Sequence, residues 1–390
     1  MRSRKIPGLF FAALSLWFLS LTIVCLRVYR HPGSHSVFAA YLHAGAAWIE
    51  QTQIYGAVGR RFLYSPLVAA LYSPFALVSQ NLSEVLWRLL LGLALPLALW
   101  FNARTLFGFS KKEFACLFLL ILPLTLSNLN NGQANIILIV LLLVATGAAL
   151  QSHWWTCAFC ASMAVYWKIY PVVFALLLAT IFPKKLTIRI LVALVGLFIV
   201  SLILQKPSYV LREYGNWLVN LASDRRRADE IYGKWRDFYL LLRLTGIPIS
   251  LMWWKVVEVT AGLIAAAICL LGTIRRWPPA TLLFVAMSLA IVWMLLFGPA
   301  TEAATYILIA VPSAYLLISG WSDPSQLALR TTSTLTYLGL VGADILNSWF
   351  HIKENAYLVH AIQPCFALCF CAALFCWWKR QVVESSRLRL

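Results

Sequence analysis

Apolar blocks of about 15–22 residues recur along almost the whole chain, close to the roughly 20 residues that carry a helix across a bilayer. In lipid such a block must satisfy every backbone N–H and C=O within itself, and a helix does so. Of the 390 residues, 62% are apolar and 12% charged, against roughly 45–50% and 25% in an average soluble domain. A soluble globular enzyme, a disordered chain and a nucleic-acid-binding domain are thereby set aside. The expected architecture is all-α, a polytopic membrane protein of about 12 transmembrane helices. The spans fall near 8–26, 83–105, 114–129, 134–151, 155–168, 170–183, 187–205, 249–272, 279–298, 303–320, 331–349 and 357–378. A shorter apolar piece, 66–78, carries Pro66 and Pro74 and reads as a helix on or partly in the membrane. The apolar run that opens the chain exceeds the roughly 7–15 residues of a signal-peptide h-region and reads as the first span. No internal repeat or low-complexity linker divides residues 1–390, which read as one integral membrane domain.

Lys and Arg number 32 and Asp and Glu 14, a net charge of +18 that suits anionic lipid and phosphate groups. Lys111–Lys112, Lys184–Lys185, Arg275–Arg276 and Lys379–Arg380 form compact clusters in short turns, the pattern of a cytoplasmic side. Both termini are then cytoplasmic, and the two long segments, about 27–82 and 206–248, face outward. All nine cysteines fall in apolar stretches, where a free thiol behaves as a small hydrophobe.

Long loops carry function more often than short turns. In the first outer segment Phe38, Tyr41, Gly45 and Trp48 recur at helical spacing, with His35, His43 and Glu50 nearby. This predicts an amphipathic juxtamembrane helix lying in the interface, its rings in lipid; a plain anchor is the alternative. The second segment interleaves Arg225–Arg227, Arg236, Asp237 and Arg243 with Tyr209, Tyr214, Trp217 and Tyr239. Arginine forks suit phosphate and aromatic faces suit sugar or lipid, with a salt-bridged surface loop as the bland alternative. Lys168 interrupts two apolar runs, a costly position unless it snorkels or meets an anion. Glu302 stands between two spans. Asn131, Gln133 and Asn135 open another, where they either bind a ligand or cap the helix. The sequence has no Gly-rich phosphate loop, nucleophile elbow or zinc-type spacing.

Four stretches resemble one family in their order and spacing: Tyr41 to Tyr55 followed by Phe62-Leu63-Tyr64-Ser65-Pro66-Leu67 and Pro74-Phe75; Asn131-Gly132-Gln133-Ala134-Asn135; Lys168 with Pro171; and Asp237 to Arg243. Together they look like the GT-C type membrane glycosyltransferases of family 87, the polyprenol-phosphate-mannose-dependent mannosyltransferases that carry the domain of unknown function 2029. The likeness runs from about Leu21 to Leu317. It departs where the family has an aspartate ahead of the loop helix, because Val37 stands there, with His35, Ser36 and Glu50 the nearest polar residues.

The resemblance implies an enzyme that moves a hexose, mannose by family analogy, from a polyprenyl-phosphate-sugar donor to a lipid or glycan acceptor. The protein would sit in the inner (plasma) membrane with its site facing the outer side. Glu50, Asp237 and Glu302 are the candidate bases. Lys168, Arg236 and Arg243 would meet the phosphate, with Asn131, Gln133, Asn135 and Tyr64 binding substrate. No cofactor or metal is called for, since protein cations can hold a lipid monophosphate. The alternatives are a multi-span lipid or sugar transporter or flippase, for which repeats and midplane breaks are expected, and a catalytically silent sugar-lipid-binding relative.

Overall fold

The computed structural model describes residues 7–34, 36–56, 62–223, 235–247, 249–299, 301–349 and 356–387. They are helical, with no strand among them, and polytopic in layout. In chain order the helices are α1 (Pro7–Arg30), α2 (Phe38–Glu50), α3 (Pro66–Ala76), α4 (Gln80–Asn102), α5 (Lys111–Asn131), α6 (Asn135–Leu150), α7 (Trp154–Trp167) and α8 (Val172–Ile181). Then follow α9 (Pro183–Leu204), α10 (Pro207–Ala222), α11 (Phe238–Leu244), α12 (Leu251–Ile274), α13 (Pro279–Leu296), a 3-10 segment Ala303–Ile309 running into α14 (Ala310–Ser322), α15 (Leu327–Trp349) and α16 (Ala356–Arg387).

All twelve expected stretches are helical, and eight helices among the described residues are long and apolar enough to cross a membrane. Helices α6, α7 and α8, of 16, 14 and 10 residues, are only about 24, 21 and 15 Å long at 1.5 Å per residue. They need not match the roughly 30 Å hydrocarbon thickness alone, because their apolar faces are largely buried against neighbouring helices. Helix α15 is long but polar in its first half, Arg330 to Thr334.

Alternation along the chain gives the bundle two unlike ends. At one end the turns are short and knit together. Arg380 pairs with Asp323 at 3.1 Å, Trp277 meets Trp378 at 5.1 Å between ring centroids, and Phe107 meets Tyr315 at 5.2 Å. The four compact basic clusters belong to this end. The other end holds α2, α3, α10, α11, the turns around 132 and 168, and the stretch that holds Thr301 and Glu302.

The rings of α2 differ from expectation. Phe38, Tyr41 and Trp48 are buried in protein, not in lipid. Phe38 stacks on Trp87 of α4 at 5.6 Å, and Tyr41 on Tyr72 of α3 at 4.8 Å. Gly45 makes this possible: a Cβ there would lie 2.7 Å from the Tyr72 carbonyl, so the two backbones touch. The periodicity marked an apolar face correctly, but α3 and α4 cover it. The second long segment likewise contains helices, α10 and α11. Tyr209 of α10 reaches the carbonyls of Ala47 and Thr52 (3.0 and 2.9 Å), and the Trp217 indole donates to Leu63 O at 3.0 Å. These rings stitch one long segment to the other.

Candidate active site

A cavity of about 540 Å³ opens at this second end, within the usual size of a small-molecule site. Its walls come from segments far apart in sequence: Ser36 to Tyr41, Leu63–Tyr64, Gln133, Lys168 to Tyr170, and Thr301, Glu302 and Thr305. Tyr64, Gln133, Lys168 and Glu302 from the expected set thus share one space.

Local sequence explains why Lys168 is there. Pro171 has no N–H and constrains the residue before it, so α7 cannot run on into α8. Lys168 ends α7 in extended conformation (φ −147°, ψ 142°), and Pro171 caps α8. The ammonium donates to Asn135 Oδ1 at 2.6 Å and lies 5.4 Å from the Tyr170 ring centroid and 6.0 Å from that of Tyr64, within cation–π range. Asn135 therefore holds Lys168; the start of α6 has no side-chain cap. Asn131, the last residue of α5, gives its carbonyl to the Val37 amide at 3.0 Å. Gly132 between them ends α5 at φ +65°, a conformation glycine adopts without a Cβ penalty.

Tyr41 and Tyr64 share a hydroxyl–hydroxyl hydrogen bond of 2.8 Å. Burial pushes the Tyr41 hydroxyl up to about 12, and the Glu302 carboxylate adds to the rise. Burial also raises Tyr64 well above the ordinary phenol value. Both remain neutral hydrogen-bonding groups at physiological pH. Glu302 is exposed and begins the 3-10 segment from extended backbone (φ −94°, ψ 160°). Val37 lines the same cavity, so the position where the resemblance expects an aspartate does face the site, as an apolar wall.

The other candidates lie apart from the cavity lining. Glu50 is exposed at the far end of α2, about 13 Å along the helix axis from Tyr41. Asp237 is buried and caps α11, its Oδ1 accepting from Leu240 N at 3.0 Å. Arg236 is buried behind the cavity wall. Its amide donates to Thr301 O at 2.8 Å, its guanidinium to Gln363 Oε1 at 2.8 Å, and its carbonyl accepts from Tyr306 at 2.7 Å. Burial lowers its pKa to about 10, with the Tyr306 and Asp344 oxygens opposing the shift. Arg243 lies over the Tyr239 ring at 5.9 Å. His35 and Arg225–Arg227 are outside the described residues. Sequence reasoning missed Glu84 and Arg88 of α4, a buried ion pair next to Ser36; their only signal was i,i+4 spacing of opposite charges in an apolar helix.

Fold and site together define a polytopic membrane protein, helical among the described residues, with a cavity of mixed polar and apolar lining at one end of its bundle. The model of glycosyltransferase family 87 matches residues 62–299, and the chain belongs to that family. No curated protein matches it. Among solved structures it is similar to ArnT from Cupriavidus metallidurans bound to undecaprenyl phosphate, at 16% identity and TM-score 0.46, covering 96% of this chain and 77% of that one. The same protein in the apo state gives 14% identity and TM-score 0.43, covering 95% of this chain and 78% of that one.

Proposed function

We propose that the chain transfers a hexose, with mannose the first sugar to try, from a polyprenyl-phosphate-sugar donor to a lipid or glycan acceptor at the outer face of the inner (plasma) membrane. The observation that carries the reading is the cavity itself, with the Lys168 cation held by Asn135 on one wall and the Glu302 carboxylate on another. The donor phosphate meets Lys168 while its polyprenyl chain stays in lipid. The acceptor oxygen bonds to the anomeric carbon as the bond from that carbon to the phosphate oxygen breaks. The bonding pair leaves with the polyprenyl phosphate, and the acceptor proton passes to Glu302. The sugar gains oxocarbenium character on the way, and Lys168 stabilises the growing phosphate charge. Glu302 is favoured as base over Glu50, which lies along α2 from the cavity, and over Asp237, whose carboxylate caps α11. Gln133 and Tyr64 offer hydrogen bonds to the sugar. Arg236 supports the wall from behind, through Thr301.

The test is sugar transfer by purified protein in liposomes supplied with polyprenyl-phosphate-mannose and mixed glycolipid acceptors. Wild type transfers; Lys168→Ala lowers kcat about 10²–10³-fold, and Glu302→Gln about 10²–10⁴-fold. Transfer kept in Glu302→Gln but lost in Glu50→Gln would move the base to Glu50. Donor binding without transfer indicates the silent relative, and neither in folded protein indicates a transporter.

A further inference from the structure

Helix α4 carries two charges that transfer as just described does not use. Glu84 and Arg88 stand one turn apart with side chains wholly buried and form an ion pair. Such a buried pair is costly unless its remaining hydrogen-bonding positions are filled. Here they are filled by the segments that build the cavity. Glu84 accepts from Gly33 N and from Ser36 Oγ, each at 3.2 Å. Arg88 donates to Ser36 Oγ at 2.9 Å and to the carbonyls of Asn130 and Leu129, each at 3.1 Å. Trp87, between them, donates to Gly132 O at 2.8 Å. Ser36 Oγ also receives Phe38 N, the first amide of α2, at 3.2 Å. One donated and two accepted bonds use the full capacity of that hydroxyl. On the cavity side, Ser36, Val37 and Gln133 form part of the wall.

We propose that the Glu84–Arg88 pair is a positioning clamp, which acts through Ser36 to fix the entry of α2 against the α5–α6 turn and so sets the wall across which donor and acceptor meet. The clamp rests on the transfer reaction proposed above. A misplacement of about 1 Å in a reacting geometry can cost about a hundredfold in rate, so a rigid wall matters even where none of its clamping groups touches substrate.

Truncating Glu84 or Arg88 strands a buried charge and endangers folding, so Ser36 is the residue to change. Ser36→Ala is expected to lower kcat about 10- to 100-fold with little change in donor KM, and to lower the melting temperature by roughly a few degrees because buried partners lose a hydrogen bond. Ser36→Thr, which keeps the hydroxyl, restores the rate. Amide hydrogen exchange at Gly33, Phe38 and Gly132 accelerates in Ser36→Ala. An unchanged kcat overturns the clamp, as does a Thr variant no better than Ala. A raised KM at constant kcat also overturns it, because Ser36 would then be binding substrate directly. A wild-type protein that transfers no sugar refutes the proposed function instead, and exchange still judges the clamp, which falls if those three amides are unaffected.

Discussion

Two cations stand at the same end of the bundle and are housed in opposite ways. Arg88 is fully buried, its guanidinium divided among a carboxylate, a hydroxyl and two carbonyls. Lys168 is half-buried on a helix break, bonded to an amide oxygen, flanked by two tyrosine rings, and opens on the cavity. No ligand can reach the first without dismantling the fold, whereas a ligand in the cavity meets the second. Burial and accessibility, more than the charge itself, separate a cation that shapes a site from one that can serve it.

The largest break in this contrast should come from stability. Arg88→Met leaves the Glu84 carboxylate buried without its counter-charge and is expected to cost about 3–5 kcal/mol. Lys168→Met loses a hydrogen bond from a half-exposed group, about 1 kcal/mol. Thermal unfolding of both variants in detergent measures the difference, and equal losses would erase the contrast. The double variant Glu84→Gln/Arg88→Met should recover much of the single loss. Gly132→Ala comes next, at about 1–3 kcal/mol. It forces φ +65° on a residue with a Cβ, and that Cβ would lie 2.7 Å from the Arg88 guanidinium. Near-wild-type unfolding of Gly132→Ala would mean that the α5–α6 turn is not held tightly against Arg88.

Much of this was legible in the sequence. Each long apolar block became a helix, and the breaks at Lys168-Ile169-Tyr170-Pro171 and Asn131-Gly132 were visible as polar or Pro/Gly interruptions. What covers an apolar face was not legible. The period of Phe38, Tyr41 and Trp48 fits lipid as well as protein, and only tertiary packing puts Tyr72 and Trp87 against them. Glu84 and Arg88 show their i,i+4 spacing, yet their other partners, Gly33, Ser36, Leu129 and Asn130, lie 41 to 52 residues away. Of the carboxylates picked out as bases, Glu302 alone lines the cavity. Nothing local distinguishes it from Glu50 or Asp237, because the distinction is made by which loops converge.

The smallest expected effect lies at the opposite end, where Asp323 pairs with Arg380 at 3.1 Å with both side chains partly exposed. The Ser325 hydroxyl and amide, at 2.8 and 3.0 Å, hold the Asp323 carboxyl below its usual pKa, and Arg380 adds to the shift. A carboxylate whose pKa falls on folding stabilises the fold above the unfolded value, about 3.9. That contribution fades as pH drops through the lowered folded pKa. Asp323→Asn should therefore melt slightly below wild type at pH 7, and the gap should close as the pH is taken below about 4. Water and salt screen this pair, so added salt should shrink the Arg380 share of the gap while leaving the Arg88→Met loss intact. A gap at pH 7 as large as that of Arg88→Met would mean that exposure does not separate the two ion pairs, and the contrast between sealed and open charges would lose its physical basis.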